Sequence, residues 1–286
     1  MSIEKKNLPE SVYTKLKNVA LTKNRPTQEV LRYYAMERFL YRLSASKHKN
    51  SFFLKGGLML MVWDPATHRA TVDIDLLVKA NNSIENISHI LREICAHPVP
   101  HDGIEFNSAD LILAESRIET EYAGLSARFS ARLHTAKLPL RVDIGFSDKI
   151  FPKPANLDYP TLLDFPSPQL QGYTPETMIA EKLDAMIRLG LANSRMKDFY
   201  DVWTMINQFQ IKPEKIALVI RDVFQNRKTT VRENPKAFSE AFYNDPKTLE
   251  RWDSFLRGIG HDHIPLETVI FEIRDFFLPI LPVNFD

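Results

Sequence analysis

Two aspartates lie two residues apart in a segment that otherwise has the composition of a buried β-strand. Residues 71–78 read TVDIDLLV, and side chains of a strand alternate between its two faces. One face would be wholly apolar and would pack on the core: Val72, Ile74, Leu76 and Val78. Asp73 and Asp75 would then share the second face, about 7 Å apart.

A second segment, residues 140–146 (LRVDIGF), places Asp143 outward beside Arg141 while apolar residues alternate inward. If the two strands are neighbours, three carboxylates converge. Like charges side by side on a sheet are destabilising unless a cation lies among them. Mg²⁺ or Mn²⁺ suits such a set, because these ions bind carboxylate oxygens, water and substrate phosphates. The sequence therefore predicts a metal site formed by Asp73, Asp75 and Asp143.

The Asp-x-Asp tripeptide alone leaves alternatives open. The acids could be ordinary solvent-facing strand residues, and some sugar-nucleotide glycosyltransferases carry the same tripeptide. The upstream turn Lys55-Gly56-Gly57 favours phosphate chemistry, because glycines allow close backbone approach and the helix after them offers N–H groups. Arg69 precedes the acidic strand and could bind a phosphate or pair with an acid. This order of elements is expected of a nucleotidyltransferase core.

Charged residues at helical spacing form a second cluster farther along the chain. Residues 181–188 (EKLDAMIR) contain Lys182, and residues 195–201 (RMKDFYD) repeat charges at i, i+3 and i+6. A solvated helix with local ion pairs explains each of these residues equally well when it is taken alone.

The elements that would carry these residues change character along the chain. Residues 10–46 predict two amphipathic helices, and alternating strand-like segments follow from about residue 51. Residues 147–170 are rich in proline and are interpreted as a linker or extended excursion. From Thr174-Pro175-Glu176, a good helix start, the pattern is helical to the end. We expect an α+β fold: helices and a mixed-sheet core over 1–165, then an all-α domain over 166–286.

Composition narrows the class of protein. The 286 residues carry a net charge of +1, so a nucleic-acid site would have to be a local basic patch. Basic residues do recur along Arg128, Arg132 and Lys137 and in residues 226–232. The single cysteine, Cys95, excludes an internal disulfide and favours an inert buried thiol. No apolar run approaches the ~20 residues of a membrane span, and the N-terminus lacks a signal-peptide core, so we expect a cytoplasmic protein.

Together these motifs resemble the AbiEii/AbiGii toxin family, a branch of the nucleotidyltransferase superfamily that includes MenT-like toxins. The family pattern is a Lys-Gly-Gly turn and an Arg-x-Ser/Thr-x-Asp-Ile/Leu-Asp strand, matched by residues 55–57 and 69–75. A helical Glu-Lys with a following Arg and an Arg-x-Lys-Asp-x-x-Asp element are matched by residues 181–188 and 195–201. One departure is Leu58, where the family usually has Ser or Thr.

The resemblance implies roles for individual residues. Asp73 and Asp75 would hold Mg²⁺ and the triphosphate, and Asp143 would complete the metal site or act as a base. Lys182 would contact the phosphates, and Asp198 would orient the site. The resemblance also assigns nucleotide binding to a further set: Lys55, Gly56, Gly57, Arg69, Thr71, Arg195 and Lys197.

The resemblance further implies a function and partners. The chain would be an NTP- and metal-dependent nucleotidyltransferase toxin that modifies an acceptor, with the tRNA 3′ end expected, and so blocks translation. A cognate antitoxin, often a winged-helix protein, would counter it. Two alternatives remain: transfer to a small molecule or a protein, and a nucleotide-binding module without turnover, which the loss of a hydroxyl at Leu58 would favour.

Overall fold

The computed structural model describes residues 8–64, 69–79, 83–116, 124–147 and 149–282. The chain divides into two compact units. The first, the sheet unit, comprises residues 1–150 and 154–173, and the second, the helical unit, comprises residues 151–153 and 174–286. Among the described residues, no helix has the length and apolar character that a membrane span requires.

The sheet unit contains four helices and seven strands in the described ranges. In chain order they are α1 (Leu8–Thr22), α2 (Thr27–Ala45), β1 (Phe52–Lys55), α3 (Leu58–Trp63), β2 (Ile74–Val78), α4 (Ile84–Cys95), β3 (Ile104–Ser116), β4 (Gly124–Leu133), β5 (Ala136–Phe146), β6 (Ala155–Asp158) and β7 (Gln169–Gly172). The helical unit follows with α5 (Pro175–Leu189), α6 (Met196–Gln208), α7 (Pro213–Asn226), α8 (Glu240–Tyr243), α9 (Pro246–Ile259) and α10 (Leu266–Phe277).

The seven strands form one mixed sheet in the order β3-β4-β5-β2-β1-β7-β6. The β2–β5 and β1–β7 pairs are parallel, and the other neighbours are antiparallel. The predicted fold class is thereby confirmed: a mixed sheet with flanking helices, followed by a helical C-terminal part.

Alternation along β4 and β5 gives the sheet one buried face and one open face. The buried positions are Ala127, Phe129, Ala131 and Leu133 on β4 and Leu138, Leu140, Val142 and Ile144 on β5. Phe39 of α2 packs against this face, with its ring centroid 5.5 Å from that of Phe129. The intervening side chains point to the opposite side, where Arg128 and Lys137 are exposed. We call this side the open face.

The helix start predicted at Thr174 is confirmed. Thr174 Oγ1 accepts a hydrogen bond of 3.3 Å from the Thr177 N–H, and Pro175 occupies the first turn of α5. A side-chain acceptor at this position satisfies one of the N–H groups that a helix leaves without an internal partner. Cys95 ends α4 in a buried position, and burial raises the pKa of its thiol to about 12, as expected of an inert cysteine.

The proline-rich segment differs from its interpretation as a linker, because it supplies β6 and β7. Strand β7 extends the sheet by pairing in parallel with β1, where Leu54 faces Gly172. A Cβ on Gly172 would lie 2.4 Å from Leu157 Cδ1 and 2.7 Å from Leu54 O. The glycine therefore permits a close approach of the neighbouring strands that a side chain would prevent.

A buried ion pair on α2 fastens the segment between β6 and β7. Arg38 Nη2 donates a 2.9 Å hydrogen bond to Pro166 O and lies 2.8 Å from Glu37 Oε1. The Leu162 N–H donates to Glu37 Oε2 at 2.7 Å. Burial raises the pKa of Glu37 to about 7, although Arg38 and the Leu162 N–H act in the opposite direction.

The raised pKa of Glu37 predicts a pH dependence of stability. The native state holds this proton more tightly than the unfolded chain, so the stabilisation is complete below about pH 4.5 and is lost as pH rises through about 7. Its contribution to the slope of the unfolding free energy reaches at most about 1.4 kcal/mol per pH unit. Glu37→Gln keeps an acceptor for the Leu162 N–H and should flatten this slope in urea unfolding measured across the window. An unchanged pH slope in the variant would contradict the assignment.

Candidate active site

The parallel pairing of β2 with β5 places Asp75 beside Asp143. The two residues are register partners, as are Leu76 and Ile144, which are buried on the core side. Strands neighbouring in a sheet lie about 4.8 Å apart, and partners in register point to the same face. The convergence expected from sequence is therefore present for Asp75 and Asp143, on the open face.

Asp73 has a different setting from the one predicted. Strand β2 begins at Ile74, so Asp73 precedes it and strand alternation does not fix its direction. Across the described ranges, no group of three or more His, Cys, Asp or Glu side chains is arranged to hold a metal ion. The structure thus brings together a pair of carboxylates, and a ligand role for Asp73 stays a prediction.

Arg141 offsets part of the charge that the carboxylate pair concentrates. Its Nε lies 2.9 Å from Asp143 Oδ1 and 3.1 Å from Ser126 Oγ, so the arginine is held between two strands. The positive charge of an adjacent guanidinium lessens the repulsion between neighbouring carboxylates. Arg141 and Ser126 were not among the predicted site residues, although the alternation of β5 already placed Arg141 on the face of Asp143.

The glycine turn lies directly against the carboxylate pair. Gly56 has a φ of +68°, and a Cβ built on it would lie 2.0 Å from Asp75 Oδ2. A Cβ on Gly57 would lie 2.9 Å from Thr71 Oγ1. Gly56 is thus required both for a left-handed backbone and for close approach of the Asp75 carboxylate.

The ammonium group of Lys55 lies on the same face of the sheet. Lys55 is the register partner of Asp75 across β1 and β2. Its Nζ lies 5.8 Å from the ring centroid of Tyr173 and would be 3.6 Å from a Cβ on Gly145. A cation therefore sits over β5 beside the acidic pair, and Tyr173, which sequence reasoning missed, lies within cation–π range of it.

Residues 69–71 approach β2 in a conformation that a side chain helps to fix. The Thr71 N–H donates a 2.9 Å hydrogen bond to Tyr33 Oη of α2. Burial raises the pKa of the Tyr33 phenol, and the hydrogen bond from Thr71 acts against that rise. Arg69 Nη1 donates to its neighbouring carbonyl oxygen, that of Ala70, at 3.2 Å.

Leu58, the departure from the family pattern, has a packing role. Its side chain is 0% exposed at the start of α3, a helix of six residues. Within that first turn the N–H groups of Met59 and Leu60 already donate to the carbonyl oxygens of Gly56 and Gly57. A hydroxyl at position 58 would be buried, which gives a physical reason for leucine here.

The second predicted cluster forms inside the helical unit. Lys182 of α5 binds Asp198 and lies 2.9 Å from Asp201 Oδ2, both on α6 and with fully buried side chains. Arg195 Nε lies 2.7 Å from Asp198 Oδ2. Lys197 is exposed on the same helix. The motif residues thus couple α5 to α6, which the helical spacing of each segment alone does not reveal.

The basic segment 226–232 also has internal partners. Arg227 Nη2 lies 2.9 Å from Glu181 Oε1, and Thr229 donates a hydrogen bond to Asp184. Arg188 Nε donates to the same buried Asp184 at 3.0 Å. Arg227 therefore ties the end of α7 to α5.

Comparisons with known proteins identify what the chain is similar to. The family model described as "Nucleotidyl transferase AbiEii toxin, Type IV TA system" matches residues 38–272. A search of curated proteins finds no match.

Two solved structures illustrate the likeness of fold. The toxin MenT4, nucleotidyltransferase toxin Rv2826c of Mycobacterium tuberculosis, aligns with a TM-score of 0.61 at 17% identity, covering 94% of this chain and 90% of that one. JHP933 of Helicobacter pylori aligns with a TM-score of 0.52 at 12% identity, covering 89% of this chain and 92% of that one. At these identities the structures establish a shared fold.

Gly56→Ala should disturb the carboxylate pair. The substitution adds a Cβ where Asp75 Oδ2 lies 2.0 Å away and imposes a left-handed backbone on alanine. We expect a loss of about 2 kcal/mol or more in the unfolding free energy. Gly258→Ala is the matched control, because nothing beyond its chain neighbours and its own helix backbone lies within 4 Å of its Cβ position. That control should be neutral or stabilising by about 0.5–1 kcal/mol in helix α9. Equal unfolding free energies of the two variants would contradict the close approach.

Lys182→Met should destabilise the helical unit, because it leaves Asp198 and Asp201 buried without their shared ammonium. Removing one partner of a buried ion pair costs about 3–5 kcal/mol, and the remaining Arg195 favours the lower end. Lys197→Met, an exposed lysine of the same motif, should change the free energy of urea unfolding by less than about 0.5 kcal/mol. Comparable losses in the two variants would refute a structural role specific to Lys182.

Proposed function

Since this chain belongs to the AbiEii nucleotidyl transferase toxin family of type IV toxin–antitoxin systems, we propose that it transfers a nucleotide from an NTP to the 3′ end of tRNA and so blocks translation. The observation that carries this proposal is the pairing of Asp75 with Asp143 beside the Gly56 turn and Lys55. Two carboxylates, a nearby ammonium and a glycine backbone turn suit a triphosphate and the hydroxyl that attacks it.

The donor set fits a divalent cation. Mg²⁺ is usually bound by one or two carboxylates together with substrate phosphates, and Asp75 and Asp143 supply two carboxylates on adjacent strands. Asp73, one residue before β2, would add a third. When bound, Mg²⁺ or Mn²⁺ would supply charge neutralisation at the triphosphate.

Residues of the chain would accept the proton of the acceptor hydroxyl and bind the phosphates. The acceptor 3′-oxygen forms a bond to the α-phosphorus while the bond from that phosphorus to the bridging oxygen breaks and pyrophosphate leaves. Asp143 would accept the proton of the attacking hydroxyl, and Arg141 at 2.9 Å would hold its carboxylate in place. Lys55 would bind the phosphates beside Asp75.

The other predicted residues keep proposed roles around the nucleotide. Lys182 would contact phosphates, and Asp198 would hold Lys182 and Arg195 in position. A further group would bind or shape the nucleotide site: Gly56, Gly57, Arg69, Thr71, Arg195 and Lys197. The partners are an NTP, a tRNA acceptor and an antitoxin, proposed to be a winged-helix protein, and the site of action is the cytoplasm.

A labelled-nucleotide assay tests the proposal. The purified chain is incubated with each α-³²P NTP, Mg²⁺ and unfractionated tRNA, with aminoglycosides as competing acceptors. We expect one or more NTPs to label tRNA, and Asp75→Asn and Asp143→Asn to lower the rate by about 100-fold or more. Omission of the divalent cation, with EDTA present, should abolish labelling.

Asp262→Asn controls for the loss of a carboxylate, because Asp262 is an exposed residue of the helical unit. It should leave the rate unchanged. Absence of label from every acceptor with the wild-type chain would refute the enzymatic proposal, and label on an aminoglycoside alone would refute the tRNA acceptor. Undiminished labelling by Asp75→Asn and Asp143→Asn would place the chemistry elsewhere.

A further inference from the structure

Four basic side chains follow one another on the open face of β4 and β5. Arg128 is the register partner of Arg141, and Arg132 is the register partner of Lys137. Register partners on neighbouring strands point to the same side, and so do alternate residues of one strand. We call Arg128, Arg132, Lys137 and Arg141 the basic row.

The basic row leads to the carboxylate pair. Ser126 and Asp143 are the next register partners on the same face, and Asp143 is paired with Asp75 on β2. Lys137 precedes Asp143 by six residues, so the row extends for roughly 20 Å from the candidate active site. An NTP carries its negative charge in the triphosphate alone, which is much shorter than this row, so the row suits a longer anionic ligand.

The charges of the row are only partly neutralised by neighbours. Arg132 Nη2 lies 3.0 Å from Glu105 Oε2, but both side chains are more than 70% exposed, where an ion pair contributes little. Asp110 is held by the Ser130 hydroxyl and backbone N–H, which lower its pKa, with a smaller effect from Lys137.

Two cations of the row are available to an external ligand. Arg128 and Lys137 are exposed, and neither forms a hydrogen bond or ion pair with another residue of the described ranges. Ile112, the register partner of Arg128 on β3, is 68% exposed, and Pro139 is exposed within the row. Two exposed apolar side chains thus lie beside these cations, although the whole chain carries a charge of only +1.

We propose that the basic row binds the sugar–phosphate backbone of a single RNA strand whose 3′ end lies at Asp75 and Asp143. The inference rests on the proposed function and specifies the surface on which its acceptor lies. A positively charged track that follows the backbone is the usual arrangement for single-stranded nucleic acid. Arginine guanidinium groups can also stack on unpaired bases, and Arg128 beside Ile112 offers such a place.

RNA binding by charge-reversal variants tests the row without requiring turnover. The probe is a 5′-fluorescein single-stranded RNA of 12 nucleotides with a free 3′-hydroxyl, titrated by anisotropy at several salt concentrations. Arg128→Glu/Lys137→Glu should raise the Kd at least tenfold. It should also make the negative slope of log K against log salt shallower by about 1.4, since each phosphate contact in single strands contributes about −0.7.

A matched control carries the same change in net charge elsewhere. Lys15 and Lys247 are exposed helix residues outside the row, and Lys15→Glu/Lys247→Glu should leave the Kd for RNA within twofold of wild type. Calorimetry with an NTP and Mg²⁺ should give the same NTP affinity for the row variant and for wild type. That result shows that the variant is folded and that its carboxylate site is intact.

The outcomes separate the surface from the reaction. Three results would refute RNA binding by the basic row. These are failure of the wild-type chain to bind the probe, wild-type RNA affinity in the row variant, and an equal loss of RNA affinity in the control variant. If tRNA is labelled and the row variant keeps the wild-type kcat/KM for tRNA, the RNA-binding role of the basic row is wrong while the proposed function stands. If the row variant loses RNA binding but no RNA is ever labelled, RNA binding by the basic row is supported and the proposed reaction is wrong.

Discussion

The parallel pairing of β2 with β5 is the constraint on which the candidate site depends, because it sets two aspartates side by side. Adjacent carboxylates repel each other, so their surroundings must favour both charges. Arg141 contacts Asp143, Lys55 is paired in register with Asp75, and Gly56 brings backbone against the Asp75 carboxylate. The opposite face of the same two strands is buried and apolar, at Ile74 and Leu76 of β2 and Val142 and Ile144 of β5, and a register fixed by this face brings the acids together.

Buried ion pairs connect structural elements in both the sheet unit and the helical unit. Helix α2 carries Glu37, Arg38 and Arg42 in buried positions, and Arg42 binds Asp102 with two hydrogen bonds of 2.7 and 3.1 Å. In the helical unit Lys182 joins α5 to α6 through two buried carboxylates. Such pairs are costly to break, since a remaining partner would be an uncompensated buried charge. They fix the helices that support the sheet and those that carry the second cluster.

Much of the fold could be predicted from sequence because local signals were strong. The helical unit follows apolar periodicity and helix starts such as Thr174-Pro175, and β4 and β5 follow strict alternation. The start of β2 was placed too early, because the Thr71 N–H bonds to Tyr33 Oη rather than to a neighbouring strand. The proline-rich segment concealed β6 and β7, because two short strands of four residues leave little periodicity to detect.

The candidate site was only partly predictable, because part of it depends on contacts between segments that are distant in sequence. Asp75, Asp143 and the glycine turn have local signals, but their adjacency depends on strand order, which no local pattern encodes. The partners of Lys182 and the packing of Leu58 likewise depend on contacts distant in sequence.

Diffraction from crystals containing Mn²⁺ and a non-hydrolysable NTP analogue would show whether the aspartate pair is the site of nucleotide binding. We expect an anomalous peak within about 2.1 Å of carboxylate oxygens from both Asp75 and Asp143, next to the analogue phosphates. A nucleotide and Mn²⁺ bound away from both aspartates would contradict it.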